Sequence, residues 1–144
     1  MASETQTELA VYRYPGPTGS GSFSTQPGRQ SFLMVNNDIC ISTVQVFNEK
    51  GDGVKLHFHN NEDGYWMVLG GRAQFFNEKD EVVVDLGKFE GVFVPRYTRY
   101  YFQNSDDSGA PLEILRVSHH SNEKDDHEGA EELGAYVTKR GKDD

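Results

Sequence analysis

Residues 51–70, GDGVKLHFHNNEDGYWMVLG, decide the fold, because turn glycines, alternating apolar residues and two histidines stand in one short stretch. The part that follows the Gly-Asp-Gly turn, residues 54–59, is predicted to form a strand. Successive side chains of a strand point to opposite faces, so His57 and His59 share one face. Two imidazoles placed in this way can bind one metal ion. The same spacing also fits two histidines on a solvated strand face.

Short segments with strand-like alternation lie on both sides of this stretch. Gly70 and Gly71 separate two of them as in a tight hairpin, and residues 77–80 form a second turn. Because no helical run lies between the segments, the pattern excludes a βαβ fold and predicts an all-β, antiparallel sandwich or barrel. The predicted strands are residues 39–47, 54–59, 65–69, 72–76, 82–86, 91–94, 99–103 and 112–118.

Two motifs in this region resemble those of the cupin superfamily. Residues 51–70 match the first motif: a glycine, His-x-His, an acidic residue and a second glycine, in order. Residues 95–104, PRYTRYYFQN, match the second motif at Pro95 and Asn104. The resemblance implies a cupin barrel, an antiparallel double-stranded β-helix of the jelly-roll type, over residues 31–120.

In the family pattern, two histidines and a glutamate of the first motif bind a metal together with a histidine of the second. The resemblance therefore implies metal ligation by His57 and His59, with Asp63 at the glutamate position and Tyr100 at the second-motif histidine position. Two histidines and a carboxylate suit Fe(II), with Zn, Mn or Ni as the other candidate ions. The implied activity is that of a dioxygenase, or of a metal-assisted lyase or isomerase, on a small oxygenated or carboxylated metabolite.

The identity of the acidic ligand depends on the register of the first motif. A register longer by one residue places Gly64 at the glutamate position and removes the carboxylate. Glu62 is then the other carboxylate near the histidines, so Asp63 and Glu62 both remain candidates.

Two alternative functions do not need a metal. Tyr100 at a ligand position indicates a metal-free cupin isomerase, cyclase or dehydratase, in which His57 or His59 acts as base and Tyr100 as acid. A cupin that binds a small ligand without turnover is the second alternative.

Arginines on or beside the predicted strands indicate an anionic substrate. Arg72, Arg99 and Arg116 are candidate substrate-binding residues, because a guanidinium that faces the pocket binds carboxylate or phosphate bidentately. Trp66 is a candidate for the pocket wall beside the substrate. Strand arginines that only cover apolar surface with their stems would have the same sequence pattern.

Composition limits the partners of the chain. Its 144 residues fit one domain, and 14 basic against 23 acidic residues give a net charge of −9. Such a chain repels nucleic acid and anionic membrane surfaces, so neither is expected as a partner. The first residues, MASETQTELA, carry no secretory signal, and the expected location is the cytoplasm. We also expect a homodimer, because cupins commonly pair through their barrels.

Both ends differ in composition from the middle. Residues 1–30 are expected to form a flexible arm, since residues 15–30 are rich in Gly, Ser and Pro and are predicted to be a loop. Residues 121–144 are expected to form an acidic tail with one short helix around residues 130–136.

Overall fold

The structure, a computed structural model, describes residues 8–19, 24–26 and 28–120. Within these ranges no helix is long and apolar enough to cross a membrane. The tail predicted at residues 121–144, with its short helix, lies outside the described residues. The strands are β1 (Ser24–Gln26), β2 (Arg29–Asn36), β3 (Cys40–Phe47), β4 (Glu62–Gly70), β5 (Ala73–Phe76), β6 (Val82–Leu86), β7 (Gly91–Val94), β8 (Tyr101–Asn104) and β9 (Leu112–His120).

The strands form two antiparallel sheets with the core between them. The larger sheet has the order β1-β2-β3-β9-β4-β7, and the smaller sheet has the order β6-β5-β8. Aromatic rings join the two sheets: Phe102 of β8 lies 4.7 Å from Trp66 of β4 and 5.3 Å from Phe47 of β3, between ring centroids. Burial of these large apolar side chains is the main driving force for such a fold. The all-β antiparallel prediction is confirmed.

The prediction of a hairpin at Gly70 and Gly71 is wrong. β4 is hydrogen-bonded to β9 and β7, whereas β5 is hydrogen-bonded to β6 and β8. The chain therefore crosses from one sheet to the other at this point. Gly71 has a φ of 78°, and a Cβ there would collide with the carbonyl oxygen of Pro111. The glycine serves a close backbone crossing rather than a hairpin turn.

The loop predicted at residues 15–30 also differs from the structure. β1 lies inside this range, and β2 begins at Arg29 and pairs with β3 from Phe47 to Ile41. No strand was predicted for β2. Its local sequence, rich in polar residues, does not alternate regularly, so its conformation follows from pairing with β3 rather than from its own propensity.

Residues 54–59 are extended but do not form the predicted strand. The segment makes isolated bridges to the smaller sheet at its β8 edge, from Gly53 to Gln103 and from His57 to Tyr100. A Cβ on Gly53 would collide with the carbonyl oxygen of Phe102, so only glycine allows this approach. The segment thus carries the histidine pair along the edge of the smaller sheet.

A second apolar cluster covers the outer face of the larger sheet. Phe32, Val44 and Val46 are buried there although they lie outside the space between the sheets. Tyr14, from the chain before β1, packs edge-on against Phe32 at 5.2 Å and donates a 2.7 Å hydrogen bond to Glu113. Tyr14, which lies in the range predicted to be a flexible arm, is therefore packed against the larger sheet.

Candidate active site

Backbone hydrogen bonds hold the histidine pair in place. The His57 amide donates to the Tyr100 carbonyl at 3.1 Å, and the Tyr100 amide donates to the His57 carbonyl at 3.0 Å. The His59 carbonyl accepts a 2.6 Å hydrogen bond from the Tyr97 amide. With the backbone fixed at both ends, the two imidazole rings lie 5.0 Å apart between centroids. The structure therefore brings His57 and His59 together, as their spacing predicted.

His57 is the buried member of the pair. Its side chain is 5% exposed, and its Nδ1 lies 2.6 Å from the Lys55 carbonyl oxygen. A carbonyl oxygen only accepts, so Nδ1 carries the proton and Nε2 keeps a lone pair. Burial, together with the neighbouring His59, lowers the pKa of His57 to about 3. His57 is therefore neutral at pH 7, whereas His59 is only half-buried and can exchange protons with solvent more readily.

Tyr100 lies behind the histidines within the core. Its ring centroid is 4.5 Å from that of His57, and its hydroxyl oxygen accepts a 3.2 Å hydrogen bond from the Trp66 indole. Because the oxygen accepts this bond, the hydroxyl hydrogen is directed away from Trp66. Tyr100 also borders a small cavity of about 10 Å³ that His59 lines from the other side. One water molecule needs about that volume, so the cavity can connect the two side chains through a single water.

The two candidate carboxylates lie in different environments. Glu62 is buried, forms an ion pair with Arg116 and lines the same small cavity as His59. Asp63 instead accepts a 2.9 Å hydrogen bond from the Arg96 amide and contacts the Arg96 guanidinium at 3.4 Å. These hydrogen bonds lower the pKa of Asp63 below its ordinary value. Of the two candidates, Glu62 is the one that the structure brings to the histidine pair.

A cleft of about 170 Å³ opens beside the histidines. Arg116 lines both this cleft and the small cavity, with its guanidinium 5.7 Å from the Trp66 ring centroid. Gln45 is largely buried in the wall, and its Oε1 has no hydrogen-bond partner in the described part of the chain. The residues that line the cleft are Arg29, Gln45, Val54, His57, His59, Trp66 and Arg116.

Sequence reasoning missed two polar residues of this cleft, Gln45 and Arg29. Gln45 lies in a strand that was predicted, and the alternation of that strand places it on the same face as Phe47 of the core. A polar residue on a core-facing position was thus an available signal. Arg29 gave no signal, because it lies in the range that was predicted to be a loop.

Solved structures resemble this arrangement of strands. No protein-family model matches the chain, and neither does any curated protein. The structure of KdgF from Halomonas sp. aligns with a TM-score of 0.65 at 13% identity, over 81% of this chain and 97% of that one. An RmlC-like cupin from Shewanella frigidimarina NCIMB 400 aligns with a TM-score of 0.61 at 11% identity, over 80% of this chain and 95% of that one.

The chain has the cupin fold. A third similar structure, described as a sugar phosphate isomerase from a cupin superfamily of Silicibacter pomeroyi, aligns with a TM-score of 0.56 at 19% identity. It covers 77% of this chain and 69% of that one. The cupin barrel that the two sequence motifs implied is therefore confirmed as a fold, and the cleft lies between its two sheets.

The side chains of this cupin-fold chain do not fit the metal site that the motifs implied. Among residues 8–19 and 28–119, whose side chains are described, no group of three or more His, Cys, Asp and Glu could hold a metal ion. The other candidate donors already have partners: Arg116 for Glu62, Arg96 for Asp63 and Trp66 for Tyr100. The two adjacent imidazoles alone supply one donor fewer than the three protein ligands that a catalytic zinc site uses. Binding of a divalent ion stays a prediction.

The remaining candidate arginines lie away from the cleft of the cupin barrel. Arg72 forms a 2.8 Å ion pair with Asp85, and both side chains are about half exposed. Arg99 forms a 2.9 Å ion pair with Glu78 and lines a different groove. Of the three arginines singled out from the sequence, Arg116 alone lines the cleft, where Trp66 lies as expected.

Proposed function

We propose that this cupin binds a small anionic metabolite in its cleft and catalyses proton transfer on it, as an isomerase or lyase without a metal. The observation that carries the proposal is the convergence of two histidines, two arginines and a Gln45 oxygen without a hydrogen-bond partner on one cleft. Perturbed titratable groups in a pocket are typical of functional sites.

The charges and the size of the cleft support this ligand class. Arg29 and Arg116 line the cleft with guanidinium groups, of which that of Arg116 is also paired with Glu62, and such groups bind carboxylate and phosphate bidentately. Gln45 Oε1 can accept a hydrogen bond from a ligand hydroxyl or amine. Pockets for drug-sized ligands measure about 300–1,000 Å³, and this cleft measures about 170 Å³. A metabolite of a few carbon atoms fits the cleft better than a larger molecule does.

The proton transfer is assigned to His59, with His57 and Tyr100 in supporting roles. His59 borders both cavities and is more exposed than His57, so it can take a proton from a ligand carbon and exchange it with solvent. The carbanion that remains is stabilised by Arg116. His57, neutral and held by Lys55, places no positive charge beside His59, so His59 can accept the proton without repulsion from a like charge. Tyr100 positions the site from behind, and a water in the small cavity can relay the proton between its hydroxyl and His59, from which it returns to the ligand or leaves to solvent.

Ligand binding is the first test, and Trp66 is its reporter because it is the only tryptophan and lines the cleft. The probes are inorganic phosphate, lactate, glycerate, gluconate and glucose 6-phosphate, each titrated while tryptophan fluorescence is recorded. We expect at least one organic anion to bind, and Arg29→Gln to weaken that binding about tenfold. Arg72→Gln, which removes a guanidinium outside the cleft, is the matched control and leaves binding unchanged.

Proton transfer is the second test and needs no knowledge of the product. A bound anion is incubated with the protein in D₂O, and ¹H NMR follows the replacement of its carbon-bound hydrogens by deuterium. We expect His59→Gln to abolish this exchange while the anion still binds. Binding without any exchange would show a non-catalytic cupin, and no binding by any of the anions would contradict the proposal altogether.

A further inference from the structure

We propose that the outer surface of the barrel carries a second binding site, for a neutral saccharide, in the groove that Arg99 lines. This groove, which we call the outer groove, has a volume of about 480 Å³. It lies between the β5–β6 turn and residues 97–99, and none of its lining residues belongs to the cleft. The proposal is independent of the chemistry assigned to the cleft. The lining residues are Phe58, Asn77, Glu78, Lys79, Glu81, Tyr97 and Arg99.

Two aromatic side chains give the outer groove apolar surfaces. Phe58 stands between His57 and His59 in an extended segment, so its side chain leaves the backbone on the side opposite to theirs. Tyr97 is 64% exposed, although its ring is large and apolar over most of its surface. An exposed aromatic ring in a concave groove offers a flat surface on which the apolar face of a sugar ring can pack.

The backbone holds Tyr97 in an uncommon conformation. Its φ is 71°, in the left-handed region that residues other than glycine seldom adopt. The hydrogen bond from its amide to the His59 carbonyl fixes the residue there. Strained backbone of this kind is concentrated at ligand-binding and active sites. The conformation thus fixes the direction in which the Tyr97 side chain leaves the backbone, at the edge of the outer groove.

The polar groups of the outer groove favour a neutral ligand. Glu78 and Glu81 supply two negative charges, Lys79 and Arg99 supply two positive charges, and the groove is neutral as a whole. Arg99 is held between the Glu78 carboxylate at 2.9 Å and the Phe58 ring at 6.0 Å. Carboxylates accept hydrogen bonds from hydroxyl groups, and guanidinium and ammonium groups donate to them. Aromatic rings with donors and acceptors of balanced charge suit a ring that carries many hydroxyl groups.

The volume is consistent with such a ligand. At about 480 Å³ the outer groove falls inside the range of about 300–1,000 Å³ that is typical of small-molecule sites. One or two sugar rings fit this space, whereas the cleft beside the histidines is about a third as large.

NMR titration of ¹⁵N-labelled full-length protein tests the proposal. The probes are glucose, galactose, mannose and N-acetylglucosamine with their linear disaccharides, each added to about 50 mM because single-site sugar binding is weak. We expect amide signals of residues 77–81 and 97–99 to shift with at least one probe, while the Trp66 indole signal stays unchanged. Galacturonate and glucosamine, which carry a charge, are expected to bind more weakly than their neutral counterparts.

Variants separate a binding site from an unspecific surface effect. Tyr97→Ala is expected to weaken binding about tenfold, and Tyr97→Phe to keep it, because the ring rather than the hydroxyl makes the contact. Phe89→Ala is the matched control, since Phe89 is 67% exposed with a φ of 68° but does not line the groove. Absence of shifts for all probes, shifts centred on Trp66, or unchanged binding by Tyr97→Ala would each overturn the proposal.

Discussion

Glu62 and Asp63 are neighbours in one strand, yet the first lies in the site and the second does not. Alternation in β4 turns Glu62, Gly64 and Trp66 toward the interior, and Asp63 toward Arg96. The motif register that is longer by one residue therefore describes the structure better at this position. Gly64, which stands at the glutamate position in that register, lines the small cavity with His59 and Tyr100.

Gly64→Glu is predicted to create the carboxylate ligand that the chain lacks. A Cβ on Gly64 would meet no atom within 4 Å, and its φ is not left-handed, so the backbone there accepts a residue other than glycine. With two imidazoles 5.0 Å apart beside it, the new carboxylate completes a set of three donors. We expect the variant to bind Zn²⁺ at least about tenfold more tightly than the wild type does.

Calorimetric titration with Zn²⁺, Mn²⁺ and Ni²⁺ measures this difference. Gly64→Gln is the matched control, because it adds nearly the same volume without the charge. Equal zinc affinity of the Glu and Gln variants would contradict the prediction. Tight binding by the wild-type protein would show that the two histidines find further ligands of their own.

Tyr100→Phe is predicted to destabilise the fold as well as the site. The substitution removes the acceptor of the Trp66 indole hydrogen bond and leaves a buried donor without a partner. Such a loss costs about 1–3 kcal/mol. Urea denaturation followed by circular dichroism measures the free energy of unfolding. In a Trp66→Phe background, Tyr100→Phe should lower the free energy of unfolding by less, because the indole donor is already absent. Equal losses in both backgrounds would contradict a hydrogen bond between Trp66 and Tyr100.

At the level of elements, the ion pair of Asp63 and Arg96 joins β4 to the turn after β7. Hydrogen bonds from Arg96 lower the pKa of Asp63, so the pair stabilises the fold above pH 4 or so, the ordinary pKa of an aspartate. This stabilisation is lost as the pH falls through the lower pKa of the folded state. Because both side chains are about one-third exposed, we expect the ion pair to contribute at most about 1 kcal/mol to the free energy of unfolding.

Asp63→Asn tests this pH dependence. At pH 7 and low salt the variant should unfold at a lower urea concentration than the wild type, and the difference should disappear near pH 2. High salt should reduce the difference at pH 7 as well, because it screens the exposed pair. If the variant and the wild type differ in stability by the same amount at both pH values, the charge of the Asp63 carboxylate does not contribute to that difference.

The strands differ in how well the sequence predicts them. β6 and β7 were predicted to the residue, because turns with clear signals bound them on both sides. β2 was missed, since its partner β3 and not its own composition imposes the extended conformation. The hairpin at Gly70 and Gly71 was wrong because two glycines mark a close crossing as readily as a two-residue turn. Local patterns identify strands, but pairing partners depend on the whole chain.

The candidate site likewise contains some residues that the sequence predicts and others that it does not. The spacing of His57 and His59 was enough to predict that their rings meet, because the backbone there is extended. The position of an arginine relative to the barrel was not predictable, since Arg72, Arg99 and Arg116 all lie on or beside strands. Which of them faces the cleft depends on the curvature and closure of the sheets. Arg29 reaches the cleft only through the pairing of β2 with β3.

At the level of the molecule, a row of exposed apolar side chains crosses the outer face of the larger sheet. Phe93, Tyr65 and Val117 stand directly opposite one another on β7, β4 and β9, and each is partly or mostly exposed. An apolar row of this kind, beside an already buried cluster, is typical of a protein contact surface. If the homodimer expected from the sequence forms, we predict that this row of side chains lies in its interface.

Phe93→Asp is predicted to convert a dimer into a monomer, because it buries a charge in that contact. Size-exclusion chromatography with light scattering, at about micromolar concentration and above, measures the mass of both proteins. Phe89→Asp serves as the control, since Phe89 is equally exposed but lies outside the row. A wild-type protein that is monomeric throughout this range would reject the dimer.

Residues 57–59 form a wall that the two proposed sites share, with the histidines on one side and Phe58 on the other. A single backbone segment forms this wall, and the hydrogen bond from the Tyr97 amide to the His59 carbonyl connects it to the outer groove. If saccharide binding changes the affinity of the anion in the cleft, thermodynamic linkage requires the anion to change saccharide affinity by the same factor. The two ligands would then report each other's presence across a single stretch of backbone.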